Sequence, residues 1–151
     1  MNVLFVCTDN FTRSVIAEFC MKNYIKKAGL EDYSVSSAGI RANSDISKYS
    51  DIHFEIMNEM GIDTSEFRRM MFDEDCFMNF DVIVGMSNLH VQYIRENFGR
   101  DIFLFNELID GTQTPVQVGT PDSEGFRDQM EKLVEYILSS IPKLIEKIKK
   151  Q

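Results

Sequence analysis

The 151-residue sequence predicts an α/β fold: a single domain over residues 1–151, with a four-stranded parallel sheet and helices on both of its faces. Three observations predict it. Residues 3–6, 82–84 and 102–105 are continuous apolar runs, the mark of strands buried on both faces rather than alternating strands wetted on one. Stretches of helical periodicity alternate with these runs, which implies parallel strands joined by right-handed crossovers. A chain of this length also buries roughly 70% of its unfolded surface, enough for one real core.

The elements follow in order. Residues 3–6 form a strand because a short apolar run ends there at a polar turn. From residue 13 to about 28 the spacing is helical, with Val15, Ile16, Phe19, Cys20 and Tyr24 on one face and Gly29 as the stop. A second strand covers 33–37, and 40–48 is a polar loop. Ile52, Ile56, Met57 and Met60 recur at helical spacing until Gly61. The third strand is 81–86. Ser87 or Asn88 caps a helix running to about Phe98, and 102–105 makes the fourth strand. Residues 110–122, with Gly111, Pro115, Gly119 and Pro121, form the longest structureless segment, and loops of that length usually carry function or move. The last helix has Phe126, Met130, Leu133, Val134, Ile137, Leu138 and Ile141 as its stripe. Pro142 marks a kink or a break, and the basic end at 143–150 suits the helix dipole.

Composition narrows the function. A net charge of −8 argues against a large nucleic-acid surface. No apolar run approaches the ~18 residues needed to cross a bilayer, and the start lacks the charged segment of a signal peptide, so a cytoplasmic protein without membrane attachment is expected. Cys7, Cys20 and Cys76 form no CxxC or Cys/His cluster, and an odd cysteine count fits a reducing compartment. His53 and His90 are isolated, which suits helix-surface or core positions, so no metal site is expected. The nine methionines fall mostly on helical or buried faces, as core filling. Oligomeric state leaves no trace in the sequence.

The chemistry concentrates in Cys7-Thr8-Asp9-Asn10-Phe11-Thr12-Arg13-Ser14, directly after the first strand. Its cysteine stands where a buried strand ends and a helix begins. Unpaired N–H groups and the positive end of the helix dipole stabilise an anion there. Arg13 adds a planar fork of donors that matches phosphate oxygens. The segment therefore describes a phosphate-sized cradle with a nucleophile at its base, at the strand end where ligands of parallel sheets bind.

With Val6-Cys7, Asn10, Arg13-Ser14, Ala17-Glu18, Ser37-Ala38-Gly39, Gly61-Ile62, Phe80-Asp81, Met86 and Pro121-Asp122, the chain resembles the low-molecular-weight protein tyrosine phosphatases over nearly its whole length. That resemblance implies a four-stranded parallel sheet, no metal or organic cofactor, and a phosphocysteine intermediate. It makes Cys7 the nucleophile and gives the equatorial phosphate oxygens to Arg13 and the loop amides of Thr8, Asp9, Asn10, Phe11, Thr12 and Ser14. Ser14 would donate to the thiolate, Asn10 would brace the loop, and Asp122 would serve as acid and then base. Asp122 also suits an N-cap for the last helix.

The departures from the family pattern are specific. Asp9 stands where relatives usually have glycine, so its carboxylate is expected to point outward, away from the dianion. Thr12 replaces a second cysteine, so peroxide is expected to drive Cys7 up the oxidation ladder with no neighbouring thiol to resolve it. The usual aromatic positions read Ala42-Asn43-Ser44 and Asp122-Ser123-Glu124-Gly125, which leaves Tyr49 or Phe11 to grip a ring, and Ser87 replaces a common aspartate. The expected substrate is a phosphorylated protein, phosphotyrosine above all, or a small phosphate ester. Two alternatives remain: a phosphate- or phosphoprotein-binding module with weak turnover, and an arsenate reductase, for which Cys20 and Cys76 make a poor relay. No Gly-x-x-x-x-Gly-Lys-Ser/Thr loop is present.

Overall fold

Alternation along one strand organises both layers of the molecule, in a computed structural model that describes residues 1–47, 49–117 and 124–151. In β1 (Asn2–Cys7), Val3, Phe5 and Cys7 face one core cluster while Leu4 and Val6 face the other. The first cluster is closed by α1 (Arg13–Ala28), α2 (Ile52–Glu59), α5 (Phe105–Asp110) and α6 (Phe126–Lys149). The second, smaller cluster takes Cys76 of the one-turn helix α3 (Cys76–Asn79) and Ile94 of α4 (Asn88–Phe98). Helices cover both faces, as expected.

The remaining strands are β2 (Ser34–Gly39), β3 (Val82–Gly85) and β4 (Phe103–Leu104), in the order β2-β1-β3-β4 and all parallel. From β1 the chain crosses to β2 on one side, and from β3 it crosses to β4 on the other. The carboxyl end of β1 is thus the switch point where such sheets open a crevice. Register places Cys7 opposite Gly39 on one flank and Val6 opposite Gly85 on the other.

Three expectations need correction. The fourth strand is only two residues long, because Leu104 is extended (φ −102°, ψ 131°) and already caps α5, which turns Phe105 into the core 6.3 Å from the Phe5 ring. A short apolar run reads the same whether it continues a strand or opens a buried helix. The second correction follows from the first. Residue 110 ends α5 and 118–123 lie outside the described residues, so the longest irregular stretch among the described residues is 60–75, which carries no helix or strand of its own. The third concerns Pro142, which does not break α6. Buried Ile137, Ile141, Leu144, Ile145 and Ile148 continue the stripe on both sides of it. Each such side chain contributes about 1.5–3 kcal/mol on burial, which together outweighs the ~3 kcal/mol cost of an interior proline.

Two capping signals hold, whereas the N-cap of α6 is Gly125 rather than Asp122. Gly29 ends α1 in the left-handed region (φ 68°), and Ser87 opens α4 with a capping box in which His90 is the reciprocal partner. Both histidines are core residues. Among the described residues, no helix is long and apolar enough to cross a membrane.

Candidate active site

Between β1 and α1 the chain wraps residues 8–12 around a small concavity. Asn10 is the one non-glycine residue at positive φ among the described residues (φ 51°), a conformation asparagine tolerates better than most. That turn leaves successive amides, the N–H groups of Asp9, Asn10, Phe11 and Thr12, without a protein acceptor among the described residues. A run of such amides beside a helix N-terminus is an anion-binding nest.

Cys7 lies at the floor of this nest, with Sγ 2.9 Å from Ser14 Oγ. The direction of that bond follows from its neighbours. Glu18, paired with Lys22, accepts the Ser37 hydroxyl proton on its other oxygen. Ser37 Oγ therefore accepts from Asn10 Nδ2 at 2.7 Å, and the Met70 N–H fixes the amide by donating to Asn10 Oδ1 at 2.7 Å. The second Nδ2 proton of Asn10 reaches Ser14 Oγ at 3.2 Å. This leaves the Ser14 hydroxyl proton for the Cys7 sulfur. A carboxylate in the first core layer thus sets donor direction across four side chains, and the chain ends with a hydroxyl proton directed at sulfur.

Arg13 Nη1 donates to the Val116 carbonyl at 3.2 Å, and the Val116 N–H returns to the Met86 carbonyl at the end of β3 at 2.8 Å. One arm of the guanidinium is thus held by the backbone, and among the described residues its other donors have no partner. Asp9 does turn outward. Its carboxylate accepts from Ser44 Oγ and from the Tyr49 hydroxyl, and Arg69 Nε donates to its backbone carbonyl at 2.8 Å.

Around the nest opens a cleft of about 240 Å³ lined by Cys7, Thr8, Asp9, Thr12, Arg13 and Tyr49, with Phe11, Ser50, Phe126 and Met130 completing the wall. A larger groove of about 800 Å³ between α4 and α5 contains no cysteine or histidine and is bordered by the exposed Arg95–Asp101 ion pair. Only the smaller cleft brings a nucleophile and a cation together. Of the two candidate aromatics, Phe11 is locked among Phe54, Phe67 and His53, while Tyr49, 40% exposed, stands at the cleft mouth.

The two histidines brace the loop from behind. His53 Nε2 donates to the Phe11 carbonyl at 2.7 Å, and its buried Nδ1 has no partner among the described residues. His90 Nδ1 accepts the Ser87 N–H at 3.1 Å, so its Nε2 carries the proton that meets Thr8 Oγ1 at 3.0 Å. Burial pushes His53 down to about 4, and burial reinforced by the Arg13 charge pushes His90 down to about 3. Both are neutral in the folded protein, whereas the unfolded chain takes up protons near the ordinary value of 6.5. Their contribution to stability is present above pH 6.5 and declines as pH falls toward 4. Urea unfolding is expected to show a lower midpoint at pH 5 than at pH 7, with the difference reduced in His53→Gln; equal midpoints in the parent protein would contradict it.

The structure therefore brings Cys7, Thr8, Asp9, Asn10, Phe11, Thr12, Arg13 and Ser14 to one place. Asp122 lies outside the described residues. Sequence reasoning missed Arg69 and Ser44, which bind Asp9 from 60 and 35 positions away, and it missed the histidine contacts. No local pattern marks them. Among the described residues, no group of three His, Cys, Asp or Glu side chains could hold a metal.

The chain is similar to known proteins. The family described as "Low molecular weight phosphotyrosine protein phosphatase" matches residues 2–151. A low molecular weight phosphotyrosine protein phosphatase of Schizosaccharomyces pombe is 30% identical over 145 residues, covering 90% of this chain and 92% of the relative. A protein-arginine-phosphatase of Bacillus subtilis is 28% identical over 150 residues, covering 95% and 98%. The crystal structure of a low molecular weight protein tyrosine phosphatase from T. tengcongensis superposes with a TM-score of 0.82 at 30% identity, covering 97% of this chain and 99% of that one.

Proposed function

Since the chain belongs to the low molecular weight phosphotyrosine protein phosphatase family, we propose that it hydrolyses phosphorylated proteins, phosphotyrosine first, through a phosphocysteine on Cys7. The observation that carries this reading is the Cys7–Ser14 contact of 2.9 Å, with the serine proton directed at sulfur by the Glu18–Ser37–Asn10 chain. The thiolate attacks phosphorus, a sulfur–phosphorus bond forms, and the bond to the leaving oxygen breaks. Arg13 and the loop amides hold the three equatorial oxygens throughout, where donors fixed in advance lower the barrier most.

Asp122 gives its proton to the leaving oxygen. It then takes a proton from the water that attacks the phosphocysteine, releasing inorganic phosphate and restoring the thiolate. This assignment follows the Pro121-Asp122 match to the family. Three free cysteines fit work in a reducing, cytoplasmic setting.

A second substrate, phosphoarginine, is supported by the Bacillus subtilis relative and by the Asp9 carboxylate on the cleft wall, which complements a guanidinium. Parallel assays with p-nitrophenyl phosphate, a phosphotyrosine peptide and a phosphoarginine peptide test both. Turnover is expected, with kcat lowered about 100-fold or more in Asp122→Asn. No turnover of any of them, with inorganic phosphate still raising the melting temperature, would leave a phosphate-binding module instead. Arsenate-dependent consumption of thiol would point to the reductase.

A further inference from the structure

Asp9 presents a physical problem. A carboxylate beside the seat of a dianion is unfavourable, and at the residue before Asn10 a glycine would avoid it. The structure turns that carboxylate into a clasp. One oxygen accepts from Ser44 Oγ and the other from the Tyr49 hydroxyl at 2.7 Å. Arg69 closes the ring, donating from Nε to the Asp9 carbonyl at 2.8 Å, from Nη1 to the Ser44 carbonyl at 2.7 Å and from Nη2 to Ser44 Oγ at 3.0 Å.

What the clasp holds is a wall of the cleft. Tyr49 lies in a stretch with no helix or strand, its N–H bonded only locally to the Ile46 carbonyl. Its ring touches Phe11 at 6.1 Å on one side and is otherwise half open to water. The hydroxyl tie to Asp9 is the contact that stops the ring from swinging away, and the same bond raises the Tyr49 pKa, which keeps the hydroxyl a donor.

We propose that Asp9 is a positioning residue for substrate selection: through the Tyr49 hydroxyl it sets the Tyr49 ring as one wall of the cleft, so that phosphate carried on a planar leaving group is preferred. A phenol ring stacks on that wall, and so does a planar guanidine, whose positive charge also faces the ring and the Asp9 carboxylate. A flexible alkyl leaving group gains neither contact. The inference rests on the phosphatase reading and narrows its substrate class.

The test compares p-nitrophenyl phosphate with glycerol 2-phosphate in the parent protein, Asp9→Ala, Tyr49→Phe and the double variant. Each single change is expected to raise the KM of the aryl ester relative to that of glycerol 2-phosphate about 5-fold, the effect of one hydrogen bond, a ratio from which any effect of Asp9→Ala on the phosphate seat itself cancels. The double variant is expected to match the singles, because both remove the same bond. For glycerol 2-phosphate, KM is expected to move less than about twofold in Tyr49→Phe, which leaves the phosphate loop intact. Tyr49→Phe keeps the ring at a half-exposed position and so reports even where Asp9→Ala folds poorly. Additive effects, an equal loss on both esters, or an unchanged KM for the aryl ester would overturn the inference while leaving the phosphatase reading intact. No parent turnover of either ester overturns both.

Discussion

Cys7→Ser is expected to lower turnover of p-nitrophenyl phosphate by about 10⁴-fold or more, the scale seen when a covalent nucleophile is removed. In barrier terms that is about 5 kcal/mol. The reason lies in what the site stabilises. The Ser14 proton, the loop amides and the Arg13 charge are gathered around position 7, and sulfur there attacks phosphorus readily. An alcohol does not, and among the described residues no base contacts Cys7: Ser14 faces it as a donor, and the Asp9 carboxylate is engaged by Ser44 and Tyr49. The amides and guanidinium are untouched by the substitution, so inorganic phosphate should still raise the melting temperature of the variant. Turnover within tenfold of the parent protein would remove Cys7 from the mechanism.

That prediction could be framed from sequence because its parts are contiguous. A strand end, a cysteine, an arginine and a helix start all fall within residues 3–14, and each has a local signature. The orientation of the thiol's partner was not legible in the same way. It depends on Ser37 in β2 and Met70 in the irregular stretch, 27 and 60 positions from Asn10, and neither has a pattern that announces the contact. Asp9 shows the limit from the other direction. Its unusual identity was visible, but its partners Ser44, Tyr49 and Arg69 converge only after β2 and the 70–72 segment pair alongside the loop. Phe105 failed for a third reason: strand and buried helix start share one hydrophobic signal, and only backbone geometry at Leu104 separates them.

Gly39→Ala is expected to be the most damaging substitution outside the phosphate loop itself. A Cβ on Gly39 would lie 2.6 Å from the Asn10 nitrogen and 2.8 Å from both the Asp9 carbonyl carbon and the Thr8 oxygen. All three are backbone atoms, so no side-chain rotation relieves the clash. Nor can Gly39 withdraw. It pairs with Cys7 in the sheet, its N–H donates to the Met70 carbonyl at 2.9 Å, and its carbonyl accepts from Phe72 at 2.8 Å. The loop must move instead, carrying the Asp9 and Asn10 amides out of register with the phosphate they would hold. Overpacking of this kind costs about 1–3 kcal/mol of stability, and a displacement near 1 Å at a positioned site costs about 100-fold in rate. Gly85→Ala is the milder comparison, since its Cβ would meet the movable ends of Ile102 and Val91 at 3.1 and 3.4 Å and His90 Cβ at 3.3 Å, contacts relieved by shifts of a few tenths of an ångström. Urea unfolding and kcat/KM measured side by side should therefore show Gly39→Ala crippled in both and Gly85→Ala only mildly affected. If the two variants behave alike, the phosphate loop is not held in place by close packing against the end of β2.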